Sequence, residues 1–254
     1  MTRDLSGKNV LITGPTSGIG RGTAVELAKA GAKLILVARN PSKCEQVAKE
    51  IVDAGGEAPV SIIADLSLLS EVERAANEFL ATGLPLHILM NNAGLVNQRR
   101  RITAEGLEQT MAVNYFAPFA LTLRLLPSLK RAPGARILNI TSNSYAIGRL
   151  NFDDLTFSRF FWPMGPYSAS KLGNIYFTRE LARRLEGSDI TVNAVHPGLI
   201  FTNLGIGNNP KYIADCSVAE LKPIALKEAP AKRLWEVSEA TTGVRFTADT
   251  ENGD

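Results

Sequence analysis

The sequence predicts a doubly wound parallel α/β sheet folded as a single domain. Three observations carry this. Short apolar, β-branched runs alternate with amphipathic stretches along most of the chain. The connections between them are too short for other arrangements of a βαβα pattern. A glycine-rich turn closes the first run and opens the first helical stretch. The bulk values agree: 254 residues, 45% hydrophobic and 21% charged, suit one sizeable core. A net charge of +3 gives no case for a nucleic-acid partner. Cys44 and Cys216 make no disulfide framework, so a reduced, cytoplasmic protein is expected. The N-terminus lacks the apolar core of a signal peptide. The longest apolar region, Tyr115 to Leu129, is interrupted by Pro118, Arg124 and Pro127, so no membrane span is expected.

Lys8 to Thr13 reads as a buried parallel strand. Gly14-Pro-Thr-Ser-Gly18-Ile-Gly20 follows, then a helical pattern from Arg21 to Ala30. Glycines there let the backbone approach a pyrophosphate, and the helix N-terminus offers unpaired N–H groups. The spacing differs from the commoner Gly-x-Gly-x-x-Gly. Lys33 to Ala38 is the second strand and ends at Arg39-Asn40. An acidic residue at this point would bind the ribose 2′-hydroxyl of NAD; Arg39 instead accommodates a 2′-phosphate, with Lys43 adding charge, so NADP(H) is expected. A helix over Pro41 to Ala54, a strand over Pro59 to Ala64 with Asp65 at its edge, a helix over Leu68 to Leu80 and a strand over Leu86 to Met90 continue the alternation.

Asn91-Asn92-Ala93-Gly94 closes the fourth strand. Its asparagines read first as ties between neighbouring strand ends, and Gly94 as room for the cofactor. Gln98-Arg99-Arg100-Arg101 reads as a solvated loop. Thr103 to Lys130 is expected to be a long helix broken near its middle, because Pro118 has no N–H for the carbonyl of Asn114. A water bridging that carbonyl toward Lys171 would satisfy it. Ala135 to Thr141 is the fifth strand, with Ser142 at its carboxyl end, where ligands of such sheets bind. An aromatic-rich loop runs from Asn143 to Gly165. A helix from Pro166 to about Glu186 carries Tyr167 and Lys171, and Thr191 to Val195 is the sixth strand, closed by His196-Pro197-Gly198.

Tyr167 and Lys171, four residues apart, share a helix face. An ammonium beside a phenol favours the phenolate, which makes the phenol a better acid toward a carbonyl oxygen. His196 reads as a strand-end packing residue, and Cys216 has no metal-ligand spacing.

Thr13 to Gly20, Asp65-Leu66, Asn91 to Gly94, Asn114, Ser142, Tyr167-x-x-x-Lys171 and His196-Pro-Gly198, in this order, resemble the short-chain dehydrogenase/reductase family. Arg39-Asn40, the spacing of 25 between Ser142 and Tyr167, and Arg233-Leu-Trp-Glu-Val-Ser-Glu239 resemble its retinol dehydrogenase-like branch. The resemblance implies a Rossmann-type fold and an alcohol/carbonyl redox reaction with NADP(H), often on a lipophilic small molecule. It implies Tyr167 as general acid in reduction and base in oxidation. Lys171 would hold the nicotinamide ribose, Ser142 the substrate oxygen, and Asn114 a proton relay. Gly14, Gly18 and Gly20 would cradle the pyrophosphate, Asp65 would meet the adenine and Asn92 would lie near the adenosine ribose. Ser17, Ile19, Arg39, Asn40, Leu66, Ala93, Gly94, Pro197 and Gly198 would also bind the cofactor. A homodimer through the long helices after the fourth and fifth strands is implied by the same analogy.

The departure from the family lies after Gly198. Tyr212 to Cys216 looks like the last strand, yet only Leu199 to Lys211 separates it from His196-Pro-Gly198. A parallel crossover usually needs a dozen residues or more, including a helix. Missing residues, a shortened substrate-covering segment, or the absence of a strand at 212–216 would each explain this atypically short C-terminal region. One rival function follows from this, a non-catalytic NADP(H)-binding regulatory protein that has lost its substrate lid. A second, a nucleotide-sugar epimerase, shares the Tyr-x-x-x-Lys pair but is disfavoured by the glycine spacing and by the lack of a substantial C-terminal substrate domain. A short amphipathic helix over Ala229 to Ala240 and a frayed tail from Thr242 to Asp254 complete the reading.

Overall fold

A computed structural model describes residues 4–198, 212–214 and 217–247. Its sheet has the strand order β3-β2-β1-β4-β5-β6-β7-β8. The strands are β1 (Asn9–Thr13), β2 (Lys33–Ala38), β3 (Val60–Ile63), β4 (Ile88–Asn91), β5 (Arg136–Ile140), β6 (Thr191–His196), β7 (Tyr212–Ala214) and β8 (Ser217–Val218). All neighbours pair in parallel except β7 with β8. The order reverses between β1 and β4, which is where a doubly wound sheet opens its ligand crevice. β1 is buried along its whole length, as expected of a strand covered by helices on both faces.

Helices α1 (Gly18–Lys29) and α2 (Pro41–Asp53) pack with Val10, Ile12, Leu34 and Leu36 on one side of the sheet. On the other side lie α3 (Leu69–Leu80), α4 (Gln109–Met111), α5 (Ala117–Lys130), α6 (Met164–Arg184) and α7 (Glu228–Thr242). Asn40 caps α2 by accepting from the Lys43 amide at 2.9 Å, and Pro41 at the first helical position suits a missing N–H.

The long helix starts later than its sequence suggests. Residues 103–108 form a turn closed by an Ile102–Glu108 bridge, with Gly106 at φ 82. Buried Glu108 then caps α4, accepting from the Met111 amide at 2.9 Å, and burial raises its carboxyl above the usual range. The expected break is a π-helical turn, Ala112–Phe116, in which the Ala117 amide reaches back to the Ala112 carbonyl. The helix therefore begins well before Pro118, as the proline argument requires. α6 begins at Met164, after a 3-10 turn, Asn143–Ile147. Of the aromatic loop, Tyr145 is buried, Phe152 and Phe157 pack on the core, and Phe160 and Trp162 stay exposed.

Tyr212–Ala214 pairs with β6 from Ala194 to His196, so a strand does stand there. Leu199 to Lys211 and Cys216 lie outside the described residues. The C-terminal end corrects the expected fraying over its first part. Thr242 still belongs to α7, Gly243 ends it in the left-handed conformation, and Phe246 packs on Trp235 with ring centroids 6.1 Å apart. Trp235 also meets Phe119 at 5.1 Å and Phe177 at 5.9 Å, so α7 covers the groove between α5 and α6.

Candidate active site at the carboxyl edge of the sheet

Gly14, Arg39, Asp65, Asn92, Ser142 and Pro197 lie just beyond the carboxyl ends of β1 to β6, while Asn114 comes from the π-helical turn and Tyr167 and Lys171 from α6. At the centre of this edge is Thr13, the last residue of β1, which the sequence placed at the head of the glycine motif without a role of its own. Its Oγ1 accepts from the amides of Asn92 and Ala93, both at 3.0 Å. Asn92 returns the tie, donating from Nδ2 to the carbonyls of Thr13 at 2.9 Å and Gly14 at 3.1 Å. Asn91 donates to Asn139 Oδ1 at 2.8 Å and to Thr122 Oγ1 at 2.9 Å. The two asparagines thus join strand ends, as their position suggested.

The glycine loop needs its glycines for different reasons. Gly14 has φ 66, and a Cβ there would lie 2.8 Å from Ala93 Cα. A Cβ on Gly20 would collide with the Gly14 carbonyl and Asn92 Nδ2. Gly18 has φ 52 and faces open space. Ser17 takes the N-cap backbone conformation without a side-chain capping bond, so the first amides of α1 are left for an anion. Ile19 is exposed beside them. Arg39 is exposed past β2 and makes no ion pair among the described residues. The Asn40 side chain caps α2. Asp65 accepts from the Ser67 amide at 3.0 Å, and Leu66 is buried. Pro197 and Gly198 are half-buried after β6. These residues fit a dinucleotide: an uncapped helix N-terminus, a loop stripped of side chains and an exposed guanidinium at the second strand.

The residues expected to take part in the reaction come from three elements. Lys171, 4% exposed, donates from Nζ to the Ile140 carbonyl at 3.0 Å. Its Nζ stands 5.5 Å from the centroid of the Tyr167 ring. Burial lowers its ammonium to about 8. Tyr167 is half-buried at the start of α6. Asn114, fully buried in the π-helical turn, accepts from the Leu95 amide at 2.8 Å and donates to the Leu95 carbonyl at 2.9 Å. It also donates to Ser170 Oγ at 3.2 Å, and that hydroxyl donates to the Tyr167 carbonyl at 2.7 Å. Ser170 is therefore a link between Asn114 and Tyr167 that motif spacing did not mark. A Cβ on Gly94 would sit 3.5 Å from Asn114 Oδ1 and 3.6 Å from Lys171 Nζ, so Gly94 keeps this corner open. Ser142 follows β5 at the same edge, half-buried, accepting from the Ser144 amide at 3.3 Å. The basic run is exposed as expected, with Arg100 donating to the Thr156 carbonyl at 2.8 Å. Among the described residues no cluster of metal ligands exists.

A family model described as short chain dehydrogenase matches residues 8–212. Retinol dehydrogenase 14 of Mus musculus is 35% identical, the alignment covering 94% of this chain and 87% of that protein. Retinol dehydrogenase 11 of Mus musculus is 39% identical over 92% of this chain and 86% of that protein. The first alignment runs over 291 positions, more than the 254 residues of this chain, so that relative has residues with no counterpart here. Among solved structures, an uncharacterized protein from Mycobacterium Paratuberculosis superposes with a TM-score of 0.84 at 29% identity, over 97% of each chain. The Pseudomonas aeruginosa RhlG/NADP active-site complex gives 0.63 at 30% identity, over 77% of this chain and 73% of that one. The strand order, the open glycine loop and these likenesses lead to one assignment: the chain belongs to the short chain dehydrogenase family, in its retinol dehydrogenase-like branch, and is an oxidoreductase acting on alcohol and carbonyl groups.

Proposed function

We propose that this oxidoreductase uses NADP(H) and works on a lipophilic alcohol or carbonyl, with Tyr167 as its general acid and base. The observation that carries the proposal is the meeting of Tyr167, Lys171 and Asn114 beside the open loop of α1. The nicotinamide of the cofactor would supply or accept the hydride. Tyr167 would give its phenolic proton to the carbonyl oxygen in reduction and recover it in oxidation. Ser142 would donate a hydrogen bond to that oxygen as negative charge develops. Lys171 would hold the ribose and keep a positive charge beside the phenol. Asn114 would serve proton replacement through a water at its backbone carbonyl, which Pro118 leaves without its helical partner. Gly14, Ser17, Gly18, Ile19 and Gly20 would carry the pyrophosphate, Asp65 and Leu66 the adenine, Arg39 the 2′-phosphate, and Pro197 and Gly198 the nicotinamide end.

Purified protein should oxidise NADPH in the presence of lipophilic aldehydes or ketones. Tight NADPH binding without turnover of a broad panel would instead favour a cofactor-binding regulatory protein. Arg39→Asp should weaken NADPH binding by roughly 10- to 100-fold, the loss of a charged hydrogen bond or two, while NADH binding changes little. Isothermal titration with both cofactors checks this, and equal effects would defeat the assignment. The ammonium of Lys171 is lost as pH rises through about 8, so turnover should fall above that pH and hold below it. A pH profile of kcat measures the limb.

The homodimer is proposed by analogy with the family; because Trp235 of α7 packs on Phe119 and Phe177, such a dimer would use parts of α5 and α6 away from that contact. Light scattering on the purified chain decides its presence. No described helix is long and apolar enough to cross a membrane. The cytoplasmic location is proposed on cysteine usage alone; Cys44 is a buried free thiol. Cell fractionation tests it.

A further inference from the structure

A connected set of polar side chains lies beneath Lys171, in the part of the core where apolar packing would be the cheaper choice. Asn91, Thr122, Asn139, Asn174 and Thr178 are each no more than 3% exposed. From Asn91 the chain runs to Asn139 Oδ1, and Asn139 Nδ2 donates to Thr178 Oγ1 at 3.0 Å. Thr178 Oγ1 donates to the backbone carbonyl of Asn174, one turn back on α6, at 2.7 Å. Asn174 Nδ2 donates to the Ile140 carbonyl at 3.3 Å, the same oxygen that accepts from Lys171. Ile140 lies one residue beyond the last β4–β5 pair, Asn91 with Asn139, so its carbonyl has left that ladder. A carbonyl has two lone pairs, and here two donors three residues apart on α6 take them. Buried polar groups are kept only where they are satisfied or useful. Asn174 Oδ1 is buried with no partner among the described residues, so the amide is held there by its donor side alone.

We propose that Asn174 is a positioning residue for Lys171: both donate to the Ile140 carbonyl, so the buried amide helps fix where that carbonyl, and hence the ammonium, stands. The inference rests on the catalytic reading of Tyr167 and Lys171 above. The titratable neighbour recorded against the Lys171 ammonium is Tyr167, on the same helix. β5 presents the Ile140 carbonyl, the π-helical turn presents Asn114, and the loop after β4 presents Gly94; none of these titrates. With Asn174 gone, the carbonyl is left to the ammonium alone. The positive form of Lys171 is then better supported and drawn toward β5, away from the cofactor side.

The test is Asn174→Leu, close in volume and without a donor, compared with the wild-type chain. Expected are a fall in kcat of about tenfold and an alkaline limb displaced upward by roughly half a pH unit, because a hydrogen bond to the charged form favours it. The KM for carbonyl substrate should change little. Lys171 is also followed without turnover, by NMR titration of its 13Cε signal, assigned with Lys171→Arg. An upward move of that midpoint in Asn174→Leu supports the proposal. An unchanged midpoint and limb, with activity lost only in proportion to folded protein, overturns it. If the variant does not fold, Asn174→Ala removes the same donor with less bulk and should move the midpoint the same way. A wild-type chain that titrates as described yet reduces no carbonyl would refute the catalytic reading and leave the positioning role standing.

Discussion

Replacing Tyr167 with phenylalanine is expected to lower turnover by about 10²- to 10⁴-fold, the usual contribution of a positioned acid or base. The ring and its packing survive this change, and only the hydroxyl is lost. NADPH affinity should therefore stay near the wild-type value, read by quenching or transfer of protein fluorescence. Steady-state kinetics with a lipophilic aldehyde measures the loss. A decrease of less than about tenfold would move the proton transfer to another group, since an uncatalysed proton step costs more than that. The expectation depends on the neighbours of Tyr167. Lys171 lies buried 5.5 Å from its ring, and Ser170 ties its backbone to Asn114.

The second large effect is on stability. Trp235→Ala should cost about 3–5 kcal/mol, the range for truncating a large buried aromatic. Trp235 is 2% exposed and lies among Phe119, Phe177 and Phe246, with the Arg184 guanidinium 4.2 Å from its ring centroid. Its Nε1 donates to Glu239 at 2.8 Å, so truncation also removes one of the two donors to that carboxylate, the Phe246 amide being the other. Urea unfolding followed by circular dichroism gives the difference. A loss below about 1 kcal/mol would show that α7 is not part of the cooperative core. At temperatures below the transition NADPH binding should persist, because no residue of the glycine loop touches this cluster.

The parts legible in sequence are those where one residue type answers one physical need. Gly14 and Gly20 are such positions, since a Cβ at either would strike backbone or Asn92. Pro118 is another: its missing N–H foretold an irregular turn at Asn114, and a π-helical turn is found there. The strand at Tyr212 was legible from its apolar run despite the short approach to it. What stayed hidden depends on partners far along the chain. Thr13 looks like any β-branched strand residue until Asn92 and Ala93 are brought to its hydroxyl. Asn139 and Asn174 carry no local signal, because their partners lie across the sheet–helix boundary. The late start at Gln109 was hidden as well. Residues 103–108 have helix-forming composition, but Glu108 is spent as a cap and Gly106 turns the chain before it. At the C-terminus, the aromatic contact of Phe246 outweighed the expectation that terminal residues fray.

The wide turn at Ala112–Phe116 also sets a rotational phase. Its Ala117-to-Ala112 bond spans one residue more than an α-helical bond, so the turn amounts to an insertion. Removing a single residue within it would let the helix close into a uniform spiral, with a better backbone ladder than before. Everything upstream would then swing by about 100° around the axis. Asn114 would rotate away from Leu95 and Ser170, the partners that hold it beside Tyr167. Regularity and the placement of Asn114 are thus alternatives at this position: a shortened chain would keep its helix and lose the contacts that hold Asn114 in place, and the turn should tolerate substitutions far better than changes of its length.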